Sequence, residues 1–181
     1  MFLLHSLQSP INVGMILRTA EVYEQPVVVL DTHGVMLGER LKTVADFACG
    51  ALGRHPPAVE TSLKRCLERV TGRMILTGFD GNAVPLSEMK WKPGDCVAFG
   101  NEYDGLDLSG MDKAQATVWI QTTDQHLPKP RSINPIDPTR VEEVRRNGGA
   151  TLNVAAAAAI IGYSMFSART LHLTGSASQI P

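Results

Sequence analysis

The chain has 181 residues, 44% of them hydrophobic, and its 17 basic and 18 acidic side chains give a formal net charge of −1. This size and composition predict a single compact α/β domain over residues 1–181. The near-neutral charge excludes a generally basic nucleic-acid-binding surface, so any contact with a nucleic acid would have to come from local patches or from a surface that two subunits form together.

The apolar segments and the scattered cysteines exclude several other classes. The longest apolar stretch, Asn153 to Phe166, is shorter than the roughly 20 residues of a bilayer span, and the N-terminus lacks the pattern of a signal peptide. We therefore expect a cytoplasmic protein. Cys49, Cys66 and Cys96 match neither a disulfide framework nor a zinc spacing, and the five histidines are also scattered, so no metal site is expected.

Short β-rich runs alternate with helical patterns along the chain, which is typical of a parallel α/β sheet. The predicted strands are Met1–His5, Pro26–Asp31, Arg73–Thr77, Asp95–Phe99 and Thr117–Gln121. Apolar residues at helical spacing predict helices over residues 13–20, 41–48, 63–70 and 152–168. Gly50 follows the second helix as a C′ glycine, and Cys66 lies on the buried face of the third.

Residues 121–149 form a long segment without a regular pattern. It contains four prolines, the pair Gly148-Gly149 and many charged residues, and a loop of this length is usually functional or disordered. Its cations would suit a lid that closes over the substrate, and a solvated insertion explains the same composition.

Three segments carry candidate site residues. In the first, Ser9 to Arg18, a strand leads into a helix for which Asn12 is a good N-cap, and Arg18 lies beside the buried stripe of that helix. In the second, Cys96 to Leu106, a buried strand enters a tight loop. Its Gly100 would allow close backbone approach, and its Glu102 offers a carboxylate. A capped helix with a snorkelling arginine, and an ordinary βα turn, are the simpler explanations.

The third segment, Gly148 to Val154, joins a flexible loop to a helix of small residues. Thr151 would cap that helix, and a tightly packed capped helix explains most of the segment. Asn153, a polar residue at the start of an apolar run, remains unexplained by packing. A dinucleotide-binding glycine motif and a P-loop are both absent from the sequence.

Together and in this order, these segments resemble the motifs of the SpoU/TrmH family (SPOUT class) of RNA 2′-O-ribose methyltransferases. The resemblance rests on the Asn-Val-Gly…Arg run from Asn12 to Arg18, the Phe-Gly-Asn-Glu…Gly-Leu loop from Phe99 to Leu106, and the Thr-Leu-Asn-Val sequence from Thr151 to Val154. It extends over nearly the whole chain, which is most similar to the single-domain tRNA wobble-ribose methyltransferases.

The resemblance implies a parallel sheet flanked by helices, with a C-terminal trefoil knot. It also implies a homodimer with the first and last helices at its interface, tRNA or rRNA as substrate, and S-adenosyl-L-methionine as cofactor. By position, the residues expected to bind the cofactor are Leu76, Thr77, Gly78, Gly100, Ile120, Thr151 and Leu152. The sequence departs from the family pattern after Ile120, where almost thirty residues precede Thr151.

The resemblance also implies the catalytic residues Arg18, Asn12, Glu102 and Asn153. In the family, the arginine aligned with Arg18 is put forward as the base. A guanidinium holds its proton firmly, so Arg18 clamping the RNA phosphate, with that phosphate or a water accepting the proton, is at least as reasonable. Asn12 and Glu102 would orient Arg18, and Asn153 would position the ribose or the helix entry.

Lys129 and Arg131 are expected to contact RNA together with Arg18. Two alternatives remain open: a catalytically idle family member that binds RNA or cofactor as a dimer, and a methyltransferase of the same fold that acts on a base or on a substrate other than RNA.

Overall fold

The computed structural model describes residues 1–78, 82–101, 105–106, 111, 114–122 and 152–176, without the side chains of residues 171–176. The strands of this part of the chain are β1 (Phe2–His5), β2 (Val27–Leu30), β3 (Ala58–Glu60), β4 (Met74–Thr77), β5 (Val84–Pro85), β6 (Cys96–Phe99) and β7 (Ala114–Trp119). Its helices are α1 (Pro10–Val22), α2 (Gly38–Ala48), α3 (Ala51–Arg54), α4 (Leu63–Glu68) and α5 (Val154–Ser176), with a short 3-10 helix at Leu86–Glu88.

The strands form one parallel sheet in the order β3-β2-β1-β6-β4-β7-β5. Strands β1, β2 and β6 are buried along their whole length, because helices cover both faces of a parallel sheet. This confirms the predicted fold class and the five predicted strands. The prediction missed β3 and β5, which have only three and two residues and lie at the sheet edges, where an alternating pattern cannot develop.

The two faces of the sheet bury different residues. Phe2 and Leu4 of β1 point into a core that they share with α1, α2 and α5. Leu3, between them, points to the opposite face, where it packs with Cys66 of α4 and Cys96 of β6. The prediction that Cys66 is a buried structural thiol is confirmed, since it is 0% exposed.

Helix α1 begins earlier than the sequence prediction placed it. Its N-cap is Ser9, whose Oγ accepts a hydrogen bond of 3.3 Å from the backbone N–H of Asn12. The prediction that Asn12 is the N-cap is therefore wrong. The reason is Pro10, whose fixed φ suits the first helical position, so that the residue before it takes the cap.

Gly14 allows α1 to approach α2 unusually closely. A Cβ at Gly14 would lie 2.6 Å from the carbonyl oxygen of Val44 and 2.7 Å from the Cβ of Phe47. Since real side chains do not tolerate such distances, the glycine sets the spacing of the two helices. Helix α2 then ends in Cys49, in the left-handed conformation, and Gly50 follows as the predicted C′ glycine.

The last helix, α5, packs on the same face as α1 and extends further than predicted, to Ser176. Trp91 anchors it through a hydrogen bond of 2.9 Å from Nε1 to the Oγ of Ser164. The predicted knot depends on the path of residues 123–151. Those residues lie outside the described part of the chain, so the knot stays a prediction.

Candidate functional site

The carboxyl ends of three neighbouring strands meet at one edge of the sheet. In the sheet β4 lies between β6 and β7. Leu76 and Thr77 end β4, and Gly78, Gly100 and Ile120 come directly after β4, β6 and β7, so these residues lie at the ends of adjacent parallel strands. The hydroxyl of Thr77 donates a hydrogen bond of 2.8 Å to the Ala98 carbonyl, and the backbone N–H of Gly78 donates one of 3.1 Å to the Val118 carbonyl. Ligands of open α/β sheets bind at such an edge.

Gly100 has a tighter environment than the sequence indicated. A Cβ there would lie 2.3 Å from the carbonyl carbon of Gly105 and 2.4 Å from the backbone nitrogen of Leu106. Asn101 and Gly105 exchange two backbone hydrogen bonds of 3.0 and 3.1 Å, so the chain folds back directly over Gly100. The glycine is therefore required by its own loop, whether or not a ligand also approaches it.

Asn12 and Asn153 bring the first and third motifs together. Nδ2 of Asn153 donates a hydrogen bond of 3.1 Å to Oδ1 of Asn12, across 141 residues of sequence. Oδ1 of Asn153 accepts 2.8 Å from the backbone N–H of Ala155, so Asn153 also caps α5. The two amides thus fasten the start of α1 to the start of α5.

The remaining predicted residues of the third motif are only partly described. Leu152 precedes Asn153 and is exposed. Four predicted site residues, Thr151, Glu102, Lys129 and Arg131, lie outside the described residues.

The structure does not bring Arg18 to the two asparagines. Arg18 follows Asn12 by six residues, a rise of about 9 Å along an α-helix, and its side chain is exposed. It lies in a stripe on the outer face of α1 with Ile11, Met15 and Val22, which are 41%, 45% and 64% exposed. Among the described residues Arg18 forms no hydrogen bond with Asn12, whose Oδ1 accepts the bond from Asn153, and the orientation of Arg18 by Asn12 stays a prediction.

Arg18 instead contacts Cys49 at the end of α2, with Nη1 3.4 Å from Sγ. Sequence reasoning missed this residue, because no spacing rule connects a helix-ending cysteine to an arginine on another helix. A second missed residue is Arg40 of α2. Its guanidinium donates to the carbonyls of Gln8 and His33 and so ties together the loops that follow β1 and β2.

The other two cysteines, Cys66 and Cys96, have buried thiols with raised pKa values. Burial raises the pKa of the Cys66 thiol to about 11 and that of the Cys96 thiol to about 12, which keeps both protonated at neutral pH. Among the described residues, no group of three His, Cys, Asp or Glu side chains is placed to hold a metal ion. In the same part of the chain, no helix combines the length and apolarity that a membrane span requires.

Several solved structures share the fold of this chain. A structure that explains 2-OH methylation of C/U34 on tRNA is 19% identical, with a TM-score of 0.67 over 93% of this chain and 95% of that chain. The SpoU methyltransferase AviRb from Streptomyces viridochromogenes is 17% identical, with a TM-score of 0.72 over 94% of this chain and 60% of AviRb. An A. aeolicus TrmH/SpoU tRNA modifying enzyme is 15% identical, with a TM-score of 0.70 over 95% and 76% of the two chains.

These identities establish a shared fold. No curated protein sequence matches the chain significantly. The model of the SpoU rRNA Methylase family matches residues 1–134, which is well over half of the sequence. The chain belongs to the SpoU rRNA Methylase family.

Proposed function

We propose that this protein is an S-adenosyl-L-methionine-dependent RNA methyltransferase that methylates a ribose 2′-hydroxyl of tRNA or rRNA. The observation that carries the proposal is the hydrogen bond between Asn12 and Asn153, which joins two family motifs beside the carboxyl edge of the sheet. Two structures of the same fold agree with it: AviRb in complex with AdoMet, and the protein linked to 2-OH methylation of tRNA.

The residues proposed to hold the cofactor lie at the carboxyl ends of β4, β6 and β7. They are Leu76, Thr77, Gly78, Gly100 and Ile120, together with Thr151 and Leu152 before α5. The described members fit this role, because they present backbone groups at one edge, and a Cβ at Gly78 would meet nothing nearer than Thr117 Cγ2 at 3.7 Å. S-adenosyl-L-methionine supplies an electrophilic methyl group on its sulfonium.

The proposed role of Arg18 is to hold RNA. A guanidinium binds phosphate with paired hydrogen bonds and so fixes the neighbouring ribose in line with the methyl group. When bound, the cofactor would transfer this methyl group to the 2′-oxygen and leave as a thioether. The hydroxyl proton passes to the phosphate or to a water. Glu102 is proposed to orient Arg18, and Lys129 and Arg131 are proposed to contact the RNA.

We also propose a homodimer that uses the outer faces of α1 and α5. On α1 this face carries Ile11, Met15 and Val22, and on α5 it carries Ile160 and Tyr163, all exposed in the isolated chain. Exposed apolar side chains on two helices that pack together favour association. Because Arg18 lies within this face and about 9 Å along α1 from its own Asn12, its proposed partner site is that of the second copy.

Mixing two impaired variants tests the dimer. If Arg18 acts on the site of the second copy, Arg18→Ala and Asn153→Ala chains that exchange freely at equal amounts form half heterodimers, each with one intact site. The activity of the mixture should then exceed the mean of the two separate variants by roughly one fifth to one quarter of the wild-type value, by this counting of symmetric dimers. If each Arg18 serves its own Asn153, the activity of the mixture equals that mean. A monomeric protein by size-exclusion chromatography with light scattering would remove the dimer proposal altogether.

The function itself is tested with methyl-tritiated S-adenosylmethionine and cytoplasmic RNA from a strain that lacks the gene. The expected product is label in an alkali-resistant dinucleotide, because a 2′-O-methyl group blocks cleavage of the adjacent phosphodiester. Label in a base would support the base-methylating alternative. Cofactor binding by calorimetry without any transfer to tRNA or rRNA would support the idle alternative and contradict the proposal.

A further inference from the structure

We propose that Cys49 is a positioning residue for Arg18: its neutral thiol holds the guanidinium in place without cancelling the positive charge. This inference rests on the proposed function, in which Arg18 binds the RNA phosphate. It concerns a residue that lies on a different helix and outside the three family motifs.

The thiol of Cys49 is both an acceptor and a donor of hydrogen bonds. It accepts a hydrogen bond from Nη1 of Arg18 at 3.4 Å and donates one to the backbone carbonyl of Asp46 at 3.8 Å. A thiol has one weak donor and a weak acceptor, and here each has a partner. The sulfur therefore links Arg18 to the last turn of α2.

The backbone at Cys49 is itself unusual. Cys49 has φ 50° and ψ 42°, the left-handed conformation, although glycine occupies only the next position. A residue with a Cβ adopts this conformation at a cost in free energy, so its side-chain contacts are expected to offset that cost.

The carboxyl end of α2 also attracts Arg18, because the negative end of a helix dipole favours a nearby cation.

Arg18 is not held by a carboxylate, in contrast to five other cations of the described chain. Five cations of the described chain form ion pairs with carboxylates: Lys42, Arg54, Arg69, Arg73 and Arg169. Arg18 forms none among the described residues, and its hydrogen-bond acceptor is a thiol. A guanidinium that is held by a neutral group keeps its full attraction for a phosphate.

The packing of α1 against α2 explains how Arg18 and Cys49 come into contact. Gly14 lies one helical turn before Arg18, and its missing Cβ lets α2 sit against α1 at Val44 and Phe47. This close approach carries the end of α2 alongside the outer face of α1. Cys49 therefore meets Arg18 because of the helix crossing that the motif glycine permits.

Three variants of Cys49 test the proposal, with kcat and KM for RNA measured separately. We expect Cys49→Ala to lower kcat roughly threefold to tenfold, in line with the loss of one hydrogen bond, with an unchanged affinity for S-adenosylmethionine. Cys49→Ser keeps an acceptor and should recover most of the loss. Cys49→Asp should raise KM for RNA about tenfold, because its carboxylate competes with the phosphate for Arg18.

The matched control is Asp46→Asn, which removes a charge from the same helix end and leaves the thiol in place. It should change kcat by no more than about twofold, as is usual for exposed side chains. Cys49→Ala should also have no further effect in an Arg18→Ala background. A merely structural role for Cys49 would instead lower the melting temperature and weaken cofactor binding, and serine would not restore kcat.

Two outcomes overturn the proposal: wild-type kinetics for both Cys49→Ala and Cys49→Asp, or an equal loss in all three variants. If the wild-type protein transfers no methyl group, the proposed function fails. The positioning is then still measured by NMR of the Arg18 guanidinium, whose hindered rotation should be lost in Cys49→Ala and retained in Cys49→Ser. Unchanged rotation in Cys49→Ala contradicts the proposal independently of activity.

Discussion

The candidate site has two regions, one at the start of α1 and one at the ends of β4, β6 and β7. Side-chain contacts dominate in the first region, whereas backbone contacts dominate in the second. Beside α1, Asn12 bonds to Asn153 and Arg18 bonds to Cys49. Beside β4, one side chain takes part, the Thr77 hydroxyl bonded to the Ala98 carbonyl, and the other close contacts are those of the Gly78 backbone N–H with a neighbouring strand and of Gly100 with its own loop. Side-chain contacts depend on residue type, while backbone contacts depend on the path of the chain. The first region therefore suits recognition of a charged substrate, and the second suits a cofactor held by main-chain groups.

Removal of the Arg18 guanidinium should have the largest effect and affect only the first region. We expect Arg18→Ala to lower kcat/KM for RNA by roughly 10²- to 10³-fold, the usual range for loss of a group that stabilises the reacting geometry. The affinity for S-adenosylmethionine, measured by calorimetry, should stay within about twofold of wild type. Arg18→Lys keeps a charge without the planar fork and should be intermediate. Retained turnover in Arg18→Ala would contradict the assignment.

A methyl group at Gly100 should weaken cofactor binding and leave RNA binding unchanged, the reverse of the effect expected for Arg18→Ala. In Gly100→Ala the new Cβ would collide with the backbone of Gly105 and Leu106, so the loop must move. We expect cofactor affinity to fall by at least about tenfold, equivalent to about 1.4 kcal/mol, while the affinity for RNA changes little. Gly53→Ala is the control, since its Cβ would meet no atom within 4 Å. Normal cofactor binding by a folded Gly100→Ala protein would remove the distinction between the two regions.

The same difference explains what the sequence could reveal. The strands β1, β2, β4 and β6 were predictable within one residue at each end, because each is a short, mostly apolar run. The strand β7 begins three residues earlier than predicted, at Ala114, since its alternating pattern is only partly buried. The motif residues Asn12 and Asn153 were predicted to belong to one site, and the structure brings their side chains together.

Contacts between elements were harder to predict. Helical periodicity placed Arg18 near the buried stripe of α1, but its exposure depends on how α2 and α5 cover that helix. Cys49 was recognised only as a scattered cysteine, because its contact with Arg18 follows from the helix crossing at Gly14. The N-cap was assigned to Asn12 because that residue type is favoured there, while the fixed φ of Pro10 decides in favour of Ser9.

A smaller effect should separate the two functions of the Asn153 amide. Asn153→Asp keeps an oxygen that caps α5 at Ala155 and loses the N–H that Asn12 accepts. We expect about 1 kcal/mol lower stability in urea unfolding, the usual value of one hydrogen bond, and a roughly fivefold lower kcat. Asn153→Ala removes the cap as well and should lose about 1 kcal/mol more. If Asn153→Asp behaves as Asn153→Ala in stability, the cap contributes nothing.

The smallest expected effect tests whether the sheet interior, away from both regions of the site, responds to alkaline pH. Burial raises the pKa of the Cys66 thiol from 9.0 to about 11, so above pH 9 the unfolded chain releases a proton that the folded chain keeps. The stabilisation is complete below pH 9 and is lost as the pH rises towards 11. We expect the free energy of unfolding to fall by about 1 kcal/mol between pH 9 and pH 10 through this thiol. Lysines and tyrosines titrate similarly in the wild-type protein and in Cys66→Ala. The difference between the free energies of unfolding of the two proteins, measured in urea at each pH, therefore isolates the contribution of the thiol. Parallel pH dependences of the two proteins would contradict the raised pKa.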